Sequence, residues 1–70
     1  MDNPEQLTGA VKWFHKEKGW GFIMHGDNEY FVHHNEIMGK GFQILRNGQK
    51  VKFTPGTNEH GLFASQVERI

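Results

Sequence analysis

Residues 18–23 (KGWGFI) and 30–33 (YFVH) alternate aromatic side chains with small or aliphatic ones. In a β-strand, residues two apart point to the same face of the sheet. One face of these two predicted strands therefore carries three rings and an imidazole: Trp20, Phe22, Phe31 and His33. The opposite face carries Gly21, Ile23, Tyr30 and Val32. A chain of 70 residues can bury only one of these two faces well.

We expect the face with Ile23 and Val32 to be the buried one, because a packed β core favours compact aliphatic side chains. The chain has six Phe, two Trp and one Tyr, which is more aromatic surface than a core of this size needs. An exposed cluster of rings is typical of a binding site. Periodicity alone leaves one alternative open, in which Trp20, Phe22 and Phe31 are core residues.

The rest of the chain predicts an all-β domain over residues 8–70, preceded by a flexible leader over residues 1–7. The nine glycines divide it into segments too short for ordinary helices. We predict five strands, over residues 11–15, 20–24, 30–33, 50–54 and 62–67, which suggests a β-sandwich or barrel. A tight hairpin turn is predicted at 25–28, a short helical turn at 35–38, and the longest irregular connection at 39–48.

The composition excludes several classes of protein. The chain has 8 Lys+Arg, 8 Asp+Glu, 5 His and no Cys. One domain is the upper limit at this length, and without cysteine there is no disulfide, thiolate ligand or thiol nucleophile. A net charge of zero gives no general attraction to nucleic acid or to an anionic membrane. The sequence shows no membrane-spanning stretch and no signal peptide, so we expect a cytoplasmic protein without a membrane partner.

The sequence indicates neither a metal site nor an enzyme. His33 and His34 are adjacent, and adjacent residues in a regular strand point to opposite faces. The glycine pair in residues 19–21 lacks the third glycine and the following helix of a dinucleotide-binding motif. We therefore predict no catalytic residue, no metal and no cofactor.

Exposed rings bordered by lysines suit one ligand particularly well. Every nucleobase has a π-face, so stacking on Trp or Phe tolerates any base, and Lys12 and Lys18 can contact phosphates. A duplex hides its base faces, so the predicted ligand is single-stranded RNA or DNA. The alternative is a protein-interaction module that uses the same rings on a peptide or partner protein.

Several segments together resemble the cold-shock domain family. They are residues 9–14 (GAVKWF), 18–23 (KGWGFI), 30–33 (YFVH), 39–42 (GKGF) and 48–51 (GQKV). The resemblance covers the chain from about Thr8 to its end. It implies a five-stranded antiparallel Greek-key barrel of the OB-fold type that binds pyrimidine-rich single-stranded RNA and DNA. It also implies a role as an RNA chaperone or transcription antiterminator.

Carried over by position, the resemblance assigns base stacking to Trp13, Trp20, Phe22, Phe31, His33 and Phe42, and backbone contacts to Lys12 and Lys18. The chain also departs from the family pattern. Trp20 replaces the usual Phe, His15 replaces Asn or Asp, and His34 stands where a second aromatic is common. His60 stands near the position of a basic residue that precedes Gly-Pro in many members. We include His34 and His60 among the candidate nucleic-acid-binding residues, and we expect a monomer that could also exchange strands into a dimer through residues 39–48.

Overall fold

The computed structural model describes residues 6–39 and 43–70. It contains five strands and one turn of 3₁₀ helix at His34–Glu36. The strands are β1 (Leu7–His15), β2 (Trp20–His25), β3 (Asn28–His33), β4 (Lys50–Asn58) and β5 (Gly61–Arg69). No helix within residues 6–39 and 43–70 is long and apolar enough to cross a membrane.

The strands close into a barrel in the order β1-β2-β3-β5-β4. β1 pairs antiparallel with both β2 and β4, β2 with β3, and β4 with β5. The remaining pairing, between β3 and β5 at Phe31 and Phe63, is parallel and completes the barrel. The predicted all-β, five-stranded barrel of the OB-fold type is therefore confirmed, with one parallel pairing among its antiparallel ones.

The core contains the aliphatic side of the alternating strands. Ile23, Val32, Val51 and Phe53 are 0% exposed. Tyr30 and Phe14 are also buried, and the rings of Tyr30 and Phe53 lie 5.0 Å apart. Within the described residues, the core contains no buried polar or charged residue. The predicted burial of the Ile23 and Val32 face is confirmed.

All five strands extend beyond their predicted ranges, and β1 and β4 do so by the largest amount. β1 begins at Leu7, four residues before the predicted start of the first strand, and Leu7 pairs with Phe53 and packs against the core. β4 continues through Pro55, although the predicted strand ends at residue 54 and a proline cannot donate a ladder hydrogen bond. Among residues 6–39 and 43–70, the last pairing of β1 with β4 is at Phe53, and Pro55 pairs with Ala64 on β5.

The turns lie close to their predicted positions. Gly26, with φ 62°, lies in the tight turn between β2 and β3, as predicted. The helical turn predicted at 35–38 starts one residue earlier, and Ile37 is not helical. Instead Ile37 is buried and forms a parallel bridge with Val67, while the amide of Met38 donates to the Val67 carbonyl at 2.7 Å. Burial of Ile37 therefore ends the turn.

Gly21 allows β1 and β2 to approach closely. It pairs with Phe14, and a Cβ atom placed on it would collide with the Trp13 carbonyl oxygen and lie 2.7 Å from the Phe14 Cα. These are backbone atoms of a paired strand, so they cannot move aside as a flexible side chain could. The register that orients the β2 rings therefore requires glycine at this position.

The Gly21→Ala variant should lose at least about 3 kcal/mol of unfolding free energy, the upper part of the usual range for overpacking. Urea denaturation followed by tryptophan fluorescence measures the loss. Gly26→Ala is the matched control, because Gly26 has a positive φ but no atom lies within 4 Å of the position that its Cβ would take. The control should lose about 1–2 kcal/mol. A Gly21→Ala protein as stable as the control contradicts the packing explanation.

Candidate functional site

Four aromatic residues form one line across the outside of the barrel. Strand register pairs Trp13 with Phe22, Phe22 with Phe31, and Phe31 with Phe63. We call these four residues the ring row. The ring centroids of Trp13 and Phe22 are 5.4 Å apart, and those of Phe22 and Phe31 are 5.8 Å apart. The row therefore presents neighbouring π-surfaces on β1, β2, β3 and β5.

A β-bulge turns Trp13 outward. The register between β1 and β2 shifts between Val11 and Trp13, so Lys12 is the additional residue on β1. Val11 and Phe14 are both buried, whereas Lys12 is exposed and Trp13 is half-buried. Strict alternation from Val11 would direct Trp13 into the core. The bulge reverses this and adds Trp13 to the outer surface.

Trp20 connects the ring row to a second line of residues, in which His15 and His33 flank it on β1 and β3. The Trp20 ring lies 5.1 Å from Trp13 and 5.9 Å from Phe31, centroid to centroid. The His15 imidazole lies 6.3 Å from Trp20 and nearly parallel to it, with 21° between the planes. Trp20 is therefore at the centre of the aromatic surface, between His15 and His33 and in ring contact with His15.

The rings are accessible to a ligand. Phe31 is 37% exposed, and Trp13, Trp20, Phe22 and Phe63 are each half-buried. None of the five belongs to the buried cluster that forms the core. The alternative interpretation, in which Trp20, Phe22 and Phe31 are core residues, is therefore wrong.

Two open depressions lie along the β3–β5 part of this surface. The first has a volume of about 470 Å³ and is lined by Phe22, Glu29, Phe31, Asn58, His60, Leu62 and Phe63. The second is lined by Phe31, His33, Asn35, Glu36, Asn58, Phe63 and Ala64. Phe31, Asn58 and Phe63 line both, so the two depressions adjoin each other at these side chains. Each depression combines an aromatic wall with polar groups at the rim.

The two predicted phosphate-contacting lysines differ in their surroundings. Lys12 Nζ donates a hydrogen bond to Glu29 Oε2 at 2.7 Å, and the two side chains are 46% and 44% exposed. Lys18 lies in the turn between β1 and β2, where its backbone amide donates to His15 Nδ1 at 3.2 Å. Its ammonium group has no carboxylate partner among the described residues. Lys18 is therefore the more available cation of the two.

The histidines occupy different parts of the surface. The rings of His33 and His34 lie 4.4 Å apart, and His33 Nδ1 lies 3.0 Å from Asn35 Oδ1. This contact and the following 3₁₀ turn hold the imidazoles together at the end of β3. His60 lies apart from them, at the turn before β5, where its amide donates to Asn58 Oδ1 at 2.8 Å. Within the described part of the chain, no three His, Asp or Glu side chains are grouped as a metal site would require.

The structure brings most of the predicted site residues to one surface. Ring contacts join Trp13, Trp20, Phe22 and Phe31, and register places His33 beside Trp20. Lys12, Lys18, His34 and His60 lie around this set. Phe42 lies outside the described residues. Phe63 was not predicted, although the alternation of Leu62, Phe63 and Ala64 on β5 could have indicated an outward ring.

Comparison with known proteins shows the same similarity over nearly the whole chain. The family model described as 'Cold-shock' DNA-binding domain matches residues 7–70. The cold shock-like protein CspA of Vibrio cholerae is 43% identical over 68 residues, which is 94% of this chain and 97% of that protein. The probable cold shock protein A of Mycolicibacterium smegmatis is 47% identical over 64 residues, which is 89% of this chain and 96% of that protein.

A solved structure shows the same fold. It is titled drosophila Unr CSD456, and it superposes with a TM-score of 0.76 at 21% sequence identity. The match covers 97% of this chain but only 28% of that longer chain. At this identity the similarity concerns the barrel itself.

Proposed function

Since the chain belongs to the cold-shock domain family, a family of nucleic-acid-binding domains, we propose that it binds single-stranded RNA or DNA by stacking bases on its outward rings. The main support for this proposal is that Trp13, Phe22 and Phe31 lie in one line across three paired strands. Trp20 is in ring contact with Trp13 and Phe31. Register fixes these rings next to one another on the outside of the barrel, where bases can reach them.

Stacking supplies enough free energy for such a site. Each stacked base contributes about 1–3 kcal/mol, and three or four bases would give roughly 5–8 kcal/mol after the cost of ordering the strand. This range corresponds to a Kd between about 200 μM and about 1 μM. Phosphate contacts from the lysines add to the affinity and make it dependent on salt. A duplex cannot use the rings, because its base faces are already stacked.

Membership in the cold-shock domain family supports more specific proposals about base preference, cellular role and further binding residues. We propose a preference for pyrimidine-rich strands and a cellular role as an RNA chaperone or antiterminator in the cytoplasm. His33, His34 and Phe42 would extend the stacking surface, and His60 would approach the backbone from the turn before β5. We propose no enzymatic activity and no cofactor, and a monomer as the binding species.

Oligothymidine should quench the fluorescence of Trp13 and Trp20, because bases stacked on these rings alter their excited states. A duplex of the same length should leave the fluorescence unchanged. Titrations at about 50 mM and about 200 mM salt should show weaker binding at the higher concentration. The Phe31→Ala variant should bind about 5- to 100-fold more weakly.

Ile44→Ala is the matched control, since Ile44 is 39% exposed, close to the 37% of Phe31, but lies away from the rings. Its affinity should equal that of the parent protein. If neither ligand quenches the fluorescence, the proposal fails and the protein-interaction module becomes the better explanation. Binding that is insensitive to salt would favour the same alternative.

The two lysines should differ in their contribution to the salt dependence. Removing one phosphate contact from a single strand reduces the slope of log K against log salt by about 0.7. Lys18→Ala should show this reduction, because the ammonium is not engaged by a carboxylate among the described residues. Lys12→Ala should change the slope less, because Glu29 already neutralises Lys12.

Glu29→Gln provides the control for this difference, since it removes the charge that engages Lys12. In the Glu29→Gln background, Lys12→Ala should change the slope as much as Lys18→Ala does. If Lys12→Ala reduces the slope more than Lys18→Ala does in the parent protein, Lys18 is not the more available phosphate contact.

A further inference from the structure

Phe63 on β5 and Gly56 on β4 form a cross-strand pair. The proposed function assigns no role to either residue. Phe63 on β5 has two register partners, Phe31 on β3 and Gly56 on β4. A Cβ atom on Gly56 would lie 2.5 Å from Cζ and 2.7 Å from Cε1 of the Phe63 ring. The far end of the Phe63 ring therefore lies over Gly56, in the space that a Cβ atom at this position of β4 would need.

This arrangement contributes little to the core. Ala64 is 1% exposed and Leu62 packs against the buried cluster, so the neighbours of Phe63 on both sides face inward. Phe63 lies between them in sequence and faces outward, beside Phe31. Glycine within a strand weakens the strand, because it loses more backbone entropy on folding than other residues and offers no side chain to pack. Gly56 thus leaves room for an outward ring, and that ring lies where a ligand can contact it.

The position of the Phe63 ring indicates the chemical class of this ligand. Phe63 continues the line of Trp13, Phe22 and Phe31 by one further strand, so the ring row spans three strand spacings, or about 14 Å. Phe63 also lines both depressions, together with Asn58. A planar aromatic group seated on Phe63 would have the amide of Asn58 within the same depressions, available to its polar edge. A nucleobase has both an aromatic face and hydrogen-bonding edges.

We propose that Phe63, seated by Gly56, is an additional base-stacking residue that lengthens the binding site by one nucleotide beyond Phe31, toward the turn between β4 and β5. This inference rests on the proposed single-strand binding and specifies its extent. A strand bound along the ring row continues across β5 instead of ending at β3.

Oligothymidines of increasing length, from about three to about eight nucleotides, test the proposal by tryptophan quenching or calorimetry. With the parent protein, affinity should rise until the strand reaches Phe63. Phe63→Ala should weaken binding of the longer strands about 5- to 100-fold and leave the shortest strands nearly unaffected. Phe63→Leu keeps an apolar side chain over Gly56 but removes the ring, so it should fold like the parent protein and still lose at least about 5-fold.

Two further variants separate stacking from structure. Ser65→Ala changes a residue without a ring two positions further along β5, and it should bind every length as the parent protein does. Gly56→Ala keeps Phe63 but forces its ring away from β4, so it should show the same length-dependent loss as Phe63→Leu. Urea denaturation of each variant confirms that the folded fraction is unchanged at the titration temperature.

The titrations test stacking on Phe63 separately from single-strand binding, on which this inference rests. If the parent protein binds oligothymidine and Phe63→Leu binds all lengths equally well, single-strand binding stands and the extension over Phe63 is wrong. If Phe63→Leu weakens the shortest and the longest strands by the same factor, Phe63 is not at the end of the site and the proposal is also wrong. If the parent protein binds no single strand of any length, both the function and the extension are overturned.

Discussion

The narrow interior of a five-stranded barrel limits which side chains of this protein can be buried. Eleven hydrophobic residues of the described part of the chain are buried in this interior, and Ile23, Val32, Val51 and Phe53 among them are 0% exposed. There is no space for a second layer of rings, so the opposite side of β2 and β3 must face solvent. The same alternation that builds the core thus places Trp20, Phe22 and Phe31 on the surface. Fold and binding surface are two consequences of one pattern.

Two glycines and one β-bulge then determine where individual rings lie on this surface. Gly21 lets β1 and β2 approach until their side chains are in ring contact, and the bulge at Lys12 adds Trp13 to the outer face. Gly56 lets Phe63 lie against β4 at the other end of the line. At each of these positions a glycine or a bulge interrupts the regular strand, and an aromatic ring is placed on the outer surface as a result. Such local costs are tolerated where the site benefits from them.

Sequence reasoning predicted the parts of the molecule that depend on alternation. The faces of β2 and β3, the hairpin at 25–28 and the burial of Ile23 and Val32 all follow from period-two patterns and turn residues. The outward position of Trp13 does not, because simple alternation from Val11 gives the wrong face and only the bulge corrects it. The continuation of β4 through Pro55 could not be predicted, since it depends on the pairing of β4 with β5. The Lys12–Glu29 ion pair joins residues on different strands, so it also needs the three-dimensional register.

The most direct measurement is a map of backbone amide chemical shifts recorded while oligothymidine is added to the isotopically labelled protein. It reports the location of binding for every amide and does not depend on any variant. We expect the largest shifts at Trp13, Trp20, Phe22 and Phe31, along the lines of paired rings on β1, β2 and β3. Largest shifts around Ile44, Arg46 and Arg69, which line a depression that contains none of the rings, would contradict the central claim that the aromatic surface binds the strand.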